Sequence, residues 1–508
     1  MTPRLVRRSL FAAFALLAFA RPGLAGAQVR VVNMIPLHFS NEAFQNSEPS
    51  LTINPAKPGI MAASTLTLGA NYCARAREAA IYVTVDTGAS WQLICKLGVD
   101  SASTPFFPGD LILRWSPDGA SLFASLLWPL QGVTAAPDLQ VFRTDDVFGP
   151  QRFALVNRIT AVDQPDMLIL DWQGRRHALV AANFKNLGLA SPNNASAGVW
   201  MPVIGDGGAD TVPVGVESRK INGQNFAIRL AMHPGGTVYA GFVSPLPPGA
   251  APIDYVVVRD DSAGQGAAPF TALREPVTAD SADRCTGRDG RPGVRVARCV
   301  NVPVNGGADP LFGFQRRSQV NVSIAVNPRD ARDVMLSWAD SMTTAHYTLH
   351  VRRSTDGGAT WSQDLTTVAN ATNPSLAITD EGVAGFLFQQ LVDSGPAQRW
   401  ASVLRISRNG FATFKDIVLS STPVHQPAPL FNPYIGDYAE LRASGSSFMG
   451  VFSASNAPNM DFFPSGVTFL RNADFTSHRL LDFKRTGQVA VSIDPFFFRV
   501  GPVLPDIP

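Results

Sequence analysis

One eight-residue pattern, which occurs twice, constrains the fold of this chain more than any other feature. Residues 354–361 are Ser-Thr-Asp-Gly-Gly-Ala-Thr-Trp, and residues 84–91 are Thr-Val-Asp-Thr-Gly-Ala-Ser-Trp. In each copy the aspartate can accept hydrogen bonds from its own turn, and glycine permits the positive φ that such a turn needs. The closing tryptophan is a large apolar side chain that must be buried. The pattern therefore predicts a tight turn between two strands of a repeated architecture.

A strand-like signature precedes each copy at a nearly constant distance. It alternates apolar with small or polar residues and then breaks at a turn, after which a second apolar strand follows. The signature occurs at residues 49–55, 322–328 and 374–380. Asn54 lies 32 residues before Asp86, and Asn327 lies 29 residues before Asp356. This constant phase indicates that signature and turn belong to one repeating unit.

The same phase reveals weaker copies of the unit elsewhere in the chain. Their degenerate turns contain Asp145, Asp206, Asp260, Asn409 and Asp474. With the two clear copies they give seven units, which begin near residues 48, 110, 166, 226, 320, 374 and 438. A unit of about 50–60 residues with four short strands is one blade of a β-propeller. We therefore predict an all-β chain folded as a single β-propeller of seven four-stranded blades, with six possible if one weak unit is an elaborated loop.

Two further features follow from the repeat. A propeller must close its ring, so either the strand-like run at 30–34 or the run at 489–493 should complete the last blade. Between the fourth and fifth units the spacing is longer, and residues 276–318 include a basic, glycine-rich run without the periodic apolar residues of a core. We interpret this stretch as an inserted loop within one domain that covers residues 28–508.

The first residues have the pattern of an export signal. Three arginines precede an apolar run at 10–20, and residues 25–27 offer a small-residue cleavage site. The apolar run is short for a membrane span, so we predict a signal peptide over residues 1–27 that is cleaved near Ala27. An uncleaved anchor is the alternative. We expect the mature protein to be secreted or periplasmic.

The charge balance excludes several classes of partner. The chain has 42 Lys and Arg against 40 Asp and Glu, and charged residues make up only 16% of it. Neither a nucleic-acid footprint nor a basic membrane-binding face is present. We therefore expect no nucleic-acid partner, no membrane span and a monomeric protein.

The four cysteines form two candidate disulfides. Cys73 with Cys95 and Cys285 with Cys299 are the natural pairs by proximity, since each closes a short loop. Export permits such bonds. Neither pair has the spacing of metal ligands, so we predict structural disulfides, no metal and no cofactor.

The two clear turns are predicted to be structural rather than functional. In a propeller, turns of this kind join the third and fourth strands on the rim opposite the usual ligand face. Their side-chain oxygens are occupied by their own turn. The residues given this structural role are Asp86, Trp91, Asp356, Gly358 and Trp361.

A ligand is expected on the opposite face of the propeller. That face is formed by the loops that lead into each first strand and those that join second to third strands. Asp437 and Tyr438 stand out there, because an acid beside a tyrosine at the start of a strand is costly to hold without a partner. Other polar candidates in these loops are Glu48, Asp110, Asp166, Arg75, Arg317 and Arg399.

The two clear copies match the Asp-box, and with the blade rhythm they make the chain resemble the sialidase-like, BNR-repeat superfamily. The resemblance covers essentially all of residues 28–508 and implies the propeller fold. Asp-box propellers include sialidases, other glycosidases, lectins, sorting receptors and photosystem assembly factors, so the resemblance alone does not select one function.

The resemblance implies one specific chemistry as a possibility. A sialidase binds the substrate carboxylate with three arginines and uses a tyrosine nucleophile, a glutamate base and an aspartate acid. The candidates are Tyr438 or Tyr434 for the nucleophile, Glu48 or Glu440 for its base, Arg75, Arg317 and Arg399 for the arginines, and Asp110 or Asp166 for the acid. A pair such as Asp166 with Asp437 would instead fit a hydrolase of neutral glycans. Residues 34–36 lack the arginine of the family's Arg-Ile-Pro motif, and seven units differ from the sialidase six.

Three functions remain open. The first is glycan-directed binding or hydrolysis of the sialidase-like kind, and the second is a non-catalytic binding or assembly propeller in the periplasm or outside the cell. The third is an unrelated hydrolase or lyase on the same fold. A hydrolase needs converging acids and a tyrosine or carboxyl group with a raised pKa in one deep funnel. A binding propeller would show a broad polar or aromatic face, for example a cluster of Phe106, Phe107, Phe462 and Phe463.

Overall fold

The computed structural model confirms the all-β class and shows a β-propeller. It describes residues 28–502 except 69–72, 74–77, 99–108, 129–137, 161–162, 186–196, 201–202, 206–210, 213–214, 219–226, 246–251, 265–267, 279–284, 286, 288–289, 291, 301–320, 341–346 and 428–434. The predicted signal peptide lies outside the described residues. Within them no α-helix occurs, and the 3-10 turns are Leu37–Phe39, Gly395–Ala397 and Met460–Phe462.

The strands of the first half form successive antiparallel sheets in chain order. After β1 (Gln28–Asn33), the first sheet contains β2 (Gln45–Ile53), β3 (Met61–Leu68), β4 (Glu78–Thr84) and β5 (Gln92–Gly98). The second contains β6 (Leu111–Trp115), β7 (Leu122–Trp128), β8 (Asp138–Thr144) and β9 (Ala154–Thr160). The third contains β10 (Asp163–Trp172), β11 (Arg175–Lys185), β12 (Ala197–Trp200), the hairpin β13 (Val203–Gly205) with β14 (Thr211–Val212), and β15 (Gly215–Ser218).

The second half continues the same arrangement. The fourth sheet contains β16 (Ile228–Met232), β17 (Val238–Pro245), β18 (Ile253–Asp260) and β19 (Val294–Val300). The fifth contains β20 (Ser323–Asn327), β21 (Asp330–Asp340), β22 (Thr348–Ser354) and β23 (Thr366–Ala369). The sixth contains β24 (Ala371–Ile378), β25 (Ala384–Val392), β26 (Arg399–Ser407) and β27 (Lys415–Pro423).

The last sheet joins the two ends of the chain. The remaining strands are β28 (Glu440–Ser444), β29 (Ser447–Ser455), β30 (Thr468–Phe469), β31 (Ala473–Asp474), β32 (Arg479–Leu481), β33 (Gln488–Val489) and β34 (Ile493–Gly501). β28, β29 and β34 pair in that order, and β1 pairs antiparallel with β34 as the outermost strand. The N-terminal run at 30–34 therefore does complete the last blade. The other candidate, 489–493, ends where the third strand of that blade begins.

Each sheet buries its two faces against its neighbours. Among the described residues, each neighbouring pair of sheets shares one apolar cluster, and the last cluster joins the final sheet to the first. The first strands likewise contact one another in order, from β2 through β6, β10, β16, β20 and β24 to β28, which contacts β2. This closed circuit favours the prediction of seven blades over six.

A repeated hydrogen bond links one first strand to the next. The Ser375 hydroxyl accepts from the backbone N–H of Leu441 (2.9 Å), and the Glu440 carboxylate accepts from that of Leu51 (2.6 Å). The corresponding bonds run from Leu113 to Ser50, from Leu230 to Asp166 and from Leu376 to Ser323. Strands that form no ladder with each other are thereby held in register around the axis.

The two predicted disulfides are both present. Cys73 pairs with Cys95, with Cα atoms 5.4 Å apart, and Cys285 pairs with Cys299, with Cα atoms 5.3 Å apart. Cys299 lies on β19, the outer strand of the fourth sheet, so its bond fixes the preceding segment to the sheet edge. The prediction that the whole stretch 276–318 is an inserted loop was therefore wrong for β19. The insertion precedes this strand. The strand was missed because it directly follows glycine-rich sequence.

A turn is present at Asp474, which accepts from the N–H of Thr476 and the hydroxyl of Ser477, but its predicted place in the last blade was wrong. Asp474 lies on β31 in a separate three-stranded sheet with β32 and β33, and not between the third and fourth strands of the last blade. The chain inserts this small sheet after β29 and returns with β34. The weak turn at Asp206 lies outside the described residues.

The turn at 354–361 satisfies its own polar groups. Asp356 accepts hydrogen bonds from the N–H of Thr360 (2.9 Å) and from the hydroxyls of Ser354 (2.7 Å) and Thr360 (2.6 Å). The N–H of Gly358, which has φ +91°, donates to the Ser354 hydroxyl, and the Trp361 indole donates to the Gly358 carbonyl. Burial opposes the charged carboxylate, but the bonds from Thr360 and Ser354 lower the pKa of Asp356.

The turn at 84–91 repeats this arrangement. Asp86 accepts from the N–H and hydroxyl of Ser90 and from the hydroxyl of Thr84. Trp91 is buried, and its ring packs against that of Phe497 at 5.3 Å between centroids. This turn therefore links the first sheet to the last.

We expect the Asp356 carboxylate to act through hydrogen-bond geometry rather than charge. At the degenerate turn, Asn409 accepts from the N–H of Thr413 and donates to its hydroxyl, so an amide can replace the carboxylate there. Asp356→Asn should therefore change the free energy of unfolding by less than about 0.5 kcal/mol. Asp356→Ala should lower it by about 1–2 kcal/mol because the turn loses its acceptor. Urea denaturation of both variants checks this, and equal stabilities would contradict it.

A buried ion cluster ties the N-terminal segment to the last blade. The Arg471 guanidinium contacts the carboxylates of Glu42 (2.7 Å) and Asp494 (3.1 Å) and donates to the Ser40 carbonyl. Asp494 also accepts from the Asn33 amide on β1. The three charged side chains are 0–4% exposed. Ring closure thus depends on a charge cluster that is paired inside the protein.

Removal of this cation should destabilise the ring. Arg471→Met leaves Glu42 and Asp494 buried without their cation, so the free energy of unfolding should fall by about 3–5 kcal/mol. Arg479→Met, at an exposed position on β32, should change it by less than about 0.5 kcal/mol. Chemical denaturation measures both, and a similar small loss for the two variants would show that closure does not rely on Arg471.

Candidate functional site

The first strands surround a narrow axial cavity of about 80 Å³. Its wall includes Arg114, Asp166, Arg229, Glu440 and Arg442. Ligand pockets in proteins usually measure about 300–1,000 Å³, so the described cavity has room for the end of a ligand rather than a whole oligosaccharide. Segments that lead into β6, β10, β16, β20 and β28 are among those outside the described residues.

Seven equivalent positions lie near one end of this cavity, and two of them, Asn373 and Tyr438, form part of its wall. Each lies two residues before the position that, in five of the seven sheets, bonds to the next first strand, and it is in the first part of the strand or just before it. The residues are Glu48, Asp110, Gln164, Ala227, Asn321, Asn373 and Tyr438, which we call the axial ring. All seven are buried, and six of them are polar. These six polar side chains lie at equivalent positions of the first strands and are the candidate functional groups of the site.

Three members of the axial ring have an unusual backbone conformation. Glu48, Gln164 and Asn373 have φ values of +54°, +56° and +55°. In each case the register of the first strand shifts at this residue, which is the mark of a β-bulge. Left-handed backbone is costly for residues other than glycine and concentrates at functional sites. The same costly conformation occurs at the same place in three sheets. It indicates that the site requires these side chains to point in a particular direction.

Hydrogen bonds join the acidic residues of the site. The Glu48 carboxylate accepts from the Asp437 N–H (3.2 Å), and the Asp110 carboxylate accepts from the Gln164 N–H (3.3 Å). The Gln164 side-chain amide donates to the Asp437 carboxylate (3.1 Å). Three carboxylates from three sheets are thereby collected at one end of the axis, although they lie up to 389 residues apart in sequence.

Tyr438 lies against these carboxylates. Its ring packs into the apolar cluster between the second and third sheets and carries the Arg229 guanidinium at 5.5 Å from the ring centroid. Burial, together with the negative charges of Asp110 and Glu48, raises the pKa of the Tyr438 hydroxyl well above its ordinary value. No protein group in the described structure lies in hydrogen-bonding position to this buried hydroxyl. A neutral hydroxyl in this position can bind a polar ligand group.

Salt bridges form the next level of the axis. Arg114 contacts Asp166 at 2.9 Å and Glu440 at 3.0 Å, and Glu440 also pairs with Arg442. Burial alone would raise the pKa of Glu440, but the two arginines and the N–H of Leu51 lower it. These charged groups pair with one another and with backbone groups. They form a rigid layer beneath the axial ring, which we call the floor.

The structure brings together four of the five predicted catalytic residues: Glu48, Asp110, Asp437 and Tyr438. The fifth, Asp166, lies on the floor, where it binds Arg114 and the N–H of Leu230. Arg399 lies over the Phe462 ring at 5.3 Å and donates to the Ser421 carbonyl. Phe462 and Phe463 are buried in the cluster between the sixth and seventh sheets and form no exposed aromatic face. Arg75, Arg317, Tyr434, Phe106 and Phe107 lie outside the described residues.

Sequence reasoning missed several members of the site. Gln164 and Asn321 occupy the positions in their units that Glu48 occupies in the first unit, so counting along the aligned signature could have found them. Arg229 had no such signal. Its closeness to Tyr438 arises from the curvature of the ring, which no spacing along the chain encodes.

Within the described residues, no group of three or more His, Cys, Asp or Glu side chains is arranged to hold a metal ion. No helix in this part of the chain is long and apolar enough to cross a membrane. His350 contacts Asp340 and Asp364 on the fifth sheet and stacks on Trp338.

The fold and site together define a β-propeller with a buried, acidic axial site. No protein-family model and no curated protein sequence matches the chain. Similar solved structures include the Penicillium chrysogenum α-L-arabinanase in complex with arabinobiose, with 11% identity, coverage of 92% of this chain and 97% of that one, and a TM-score of 0.41.

Two further similar structures differ widely in function. A family-25 polysaccharide lyase, an ulvan lyase bound to a GlcA-Rha3S ligand, has 11% identity, coverage of 81% and 92%, and a TM-score of 0.48. The β-propeller domain of the trilobed protease from Pyrococcus furiosus has 9% identity, coverage of 81% and 92%, and a TM-score of 0.36. Likenesses this distant assign neither a family nor an activity to this chain.

The Tyr438 hydroxyl should be dispensable for stability but required for ligand binding. Because it is buried without a protein partner, Tyr438→Phe should leave the melting temperature unchanged or raise it. Ligand affinity should fall about 5–10-fold through the loss of one hydrogen bond. As a matched control, the buried Tyr255 hydroxyl donates to the Ala339 carbonyl at 2.7 Å, so Tyr255→Phe should cost about 1 kcal/mol. Thermal melts separate the two, and a clear loss of stability in Tyr438→Phe would contradict this role.

Proposed function

We propose that this protein is an exported, glycan-directed hydrolase that acts at the axial ring. The observation that carries the proposal is the convergence of Glu48, Asp110 and Asp437 around the buried Tyr438 hydroxyl. This is the arrangement expected of a hydrolase, whereas Phe462 and Phe463, which a binding propeller could have exposed, are buried.

The chemistry of glycoside hydrolysis accounts for several carboxylates in one site. One carboxyl group protonates the leaving oxygen, and a second acts as base or nucleophile on the opposite side of the sugar. Glu48, Asp110 and Asp437 are the candidates for these two roles. The raised pKa of Tyr438 keeps its hydroxyl protonated, so we assign it a hydrogen bond to a sugar hydroxyl rather than the role of nucleophile.

The charge of the site favours a neutral sugar. Near Tyr438 the described residues place three carboxylates against one guanidinium, that of Arg229. An anionic sugar would be repelled there, because like charges interact strongly where water is excluded. Arg114 and Arg442 are paired with Glu440 on the floor. The sialidase-like resemblance therefore supports the propeller and its blade pattern, and we do not extend it to sialoside cleavage.

Export is part of the proposal. The predicted signal peptide at 1–27 and the two disulfides are both typical of proteins that fold outside the reducing cytosol. A polysaccharide substrate would be encountered in the same compartment.

The test is sugar release from a panel of neutral oligosaccharides and polysaccharides, with a sialoside as the anionic comparison. Asp437→Asn and Glu48→Gln keep the size of each side chain and should lower kcat by about 10²–10⁴-fold if these groups transfer protons. Asp461→Asn removes an exposed carboxylate elsewhere on the last blade and should leave turnover unchanged. Turnover that survives in both site variants would contradict the assignment.

One observation favours the non-catalytic alternative, and the same panel of sugars can test that alternative. Gln164, Asn321 and Asn373 supply amide groups to the axial ring, and amides bind ligands without transferring protons. Binding of a panel member by wild type without any product, weakened in Tyr438→Phe, would favour a binding propeller.

A further inference from the structure

We propose that Gln164 is a positioning residue that orients the Asp437 carboxylate and favours its ionised form. This inference rests on the proposed hydrolase function. Gln164 is not itself placed to transfer a proton, since its side chain is an amide. Its role would be exerted through the carboxylate to which it donates.

The contacts of Gln164 connect three charged residues of the site. Its side-chain amide donates to Asp437 (3.1 Å), and its carbonyl oxygen accepts from the Arg229 guanidinium (2.9 Å). Its backbone N–H donates to Asp110 (3.3 Å). With an exposure of 1%, the residue has little solvent to compete with these bonds. Gln164 is therefore the common member of the contacts to Asp110, Arg229 and Asp437.

The orientation of the amide follows from the chemistry of its partners. A guanidinium has only donors, so the Gln164 carbonyl oxygen must face Arg229. The amide NH₂ group then has to face Asp437, where an ionised carboxylate offers only acceptors. The oxygen and nitrogen of the amide are therefore assigned. Through its contact with the oxygen, Arg229 holds the NH₂ group of Gln164 toward Asp437.

The backbone conformation of Gln164 indicates that the site requires a particular direction of its side chain. Its φ of +56° is costly for a residue other than glycine, and such strain persists where the surroundings fix it. Asn373 has the same conformation at the equivalent position of the sixth sheet. Its amide, however, donates to the Gly436 carbonyl and to the Gln389 side chain, which are neutral. The two residues share their backbone and differ in whether they bond to a carboxylate.

A donated hydrogen bond favours the charged form of the carboxylate that accepts it. The charged and titratable groups that face this part of the site are Glu48, whose carboxylate accepts from the Asp437 N–H, together with Asp110, Arg229 and Tyr438. The Gln164 side chain adds such a donor to Asp437, while Glu48 and Asp110 accept from backbone N–H groups. Asp437, held in its charged form, would serve as base or nucleophile.

The experiment compares Gln164→Met with Asn373→Leu. Gln164→Met keeps the side-chain length and removes the donor, so the acid limb of the kcat/KM profile should move up by about one pH unit. We expect kcat to fall about 10–100-fold while KM changes less than about 3-fold. Asn373→Leu carries the same backbone strain and should not move the acid limb. In the Asp437→Asn background, Gln164→Met should have no further effect on kcat.

A readout without turnover separates this inference from the proposed function. Carboxyl ¹³C NMR of Asp-labelled protein, with the Asp437 signal assigned by its loss in Asp437→Asn, gives the midpoint of its titration directly. A higher midpoint in Gln164→Met supports the inference, and an unchanged midpoint overturns it whether or not the protein hydrolyses a glycan. A shifted midpoint in a protein without turnover would overturn the hydrolase proposal and leave the contact established. If Gln164→Met does not fold, Arg229→Met frees the amide to rotate and should shift the midpoint in the same direction.

Discussion

Burial of both faces of every sheet is the constraint on which the rest of this structure depends. A four-stranded sheet with two apolar faces is stable only between two neighbours, so the chain must form a closed ring. Closure is achieved by placing β1 on the outer edge of the sheet that contains β34, and Arg471 reinforces it from inside. Because the ring is closed, the first strands converge on one axis. That convergence allows residues from distant units to share one site.

The axial ring is where the repeat departs from what stability alone would favour. Five of the seven first strands bond to the next through a serine or a carboxylate, and these bonds are satisfied within the protein. Just above them, three bulges hold polar residues in left-handed backbone, and Tyr438 buries a hydroxyl without a protein partner. Local rules are broken at equivalent positions of several sheets. Such departures are expected at functional sites, where strain and unsatisfied groups are retained for a ligand.

The repeat was predictable because its signals are local. The turn at 354–361 requires specific residues at specific offsets, and the signature before it alternates with the period of a strand, so unit boundaries could be assigned from phase alone. Prediction failed where the local signal was interrupted. The strand at 294–300 follows a glycine-rich insertion, and the last blade is divided by a small sheet around Asp474. In both places the strand that the sequence did not predict is held by backbone hydrogen bonds to its neighbour. A pattern of side chains does not reveal such bonds.

The sequence by itself determined the all-β class, the repeating unit, the two disulfides and the face on which to search. It also indicated Asp437 and Tyr438, because an acid beside a tyrosine at a strand start is a local anomaly. Only the tertiary structure decided what these residues meet. Glu48 reaches Asp437 across 389 residues of chain, and Gln164 and Arg229 join them through the closure of the ring. Spacing along the chain fixes a unit, but the contacts between units depend on how many sheets share the axis and how they curve around it.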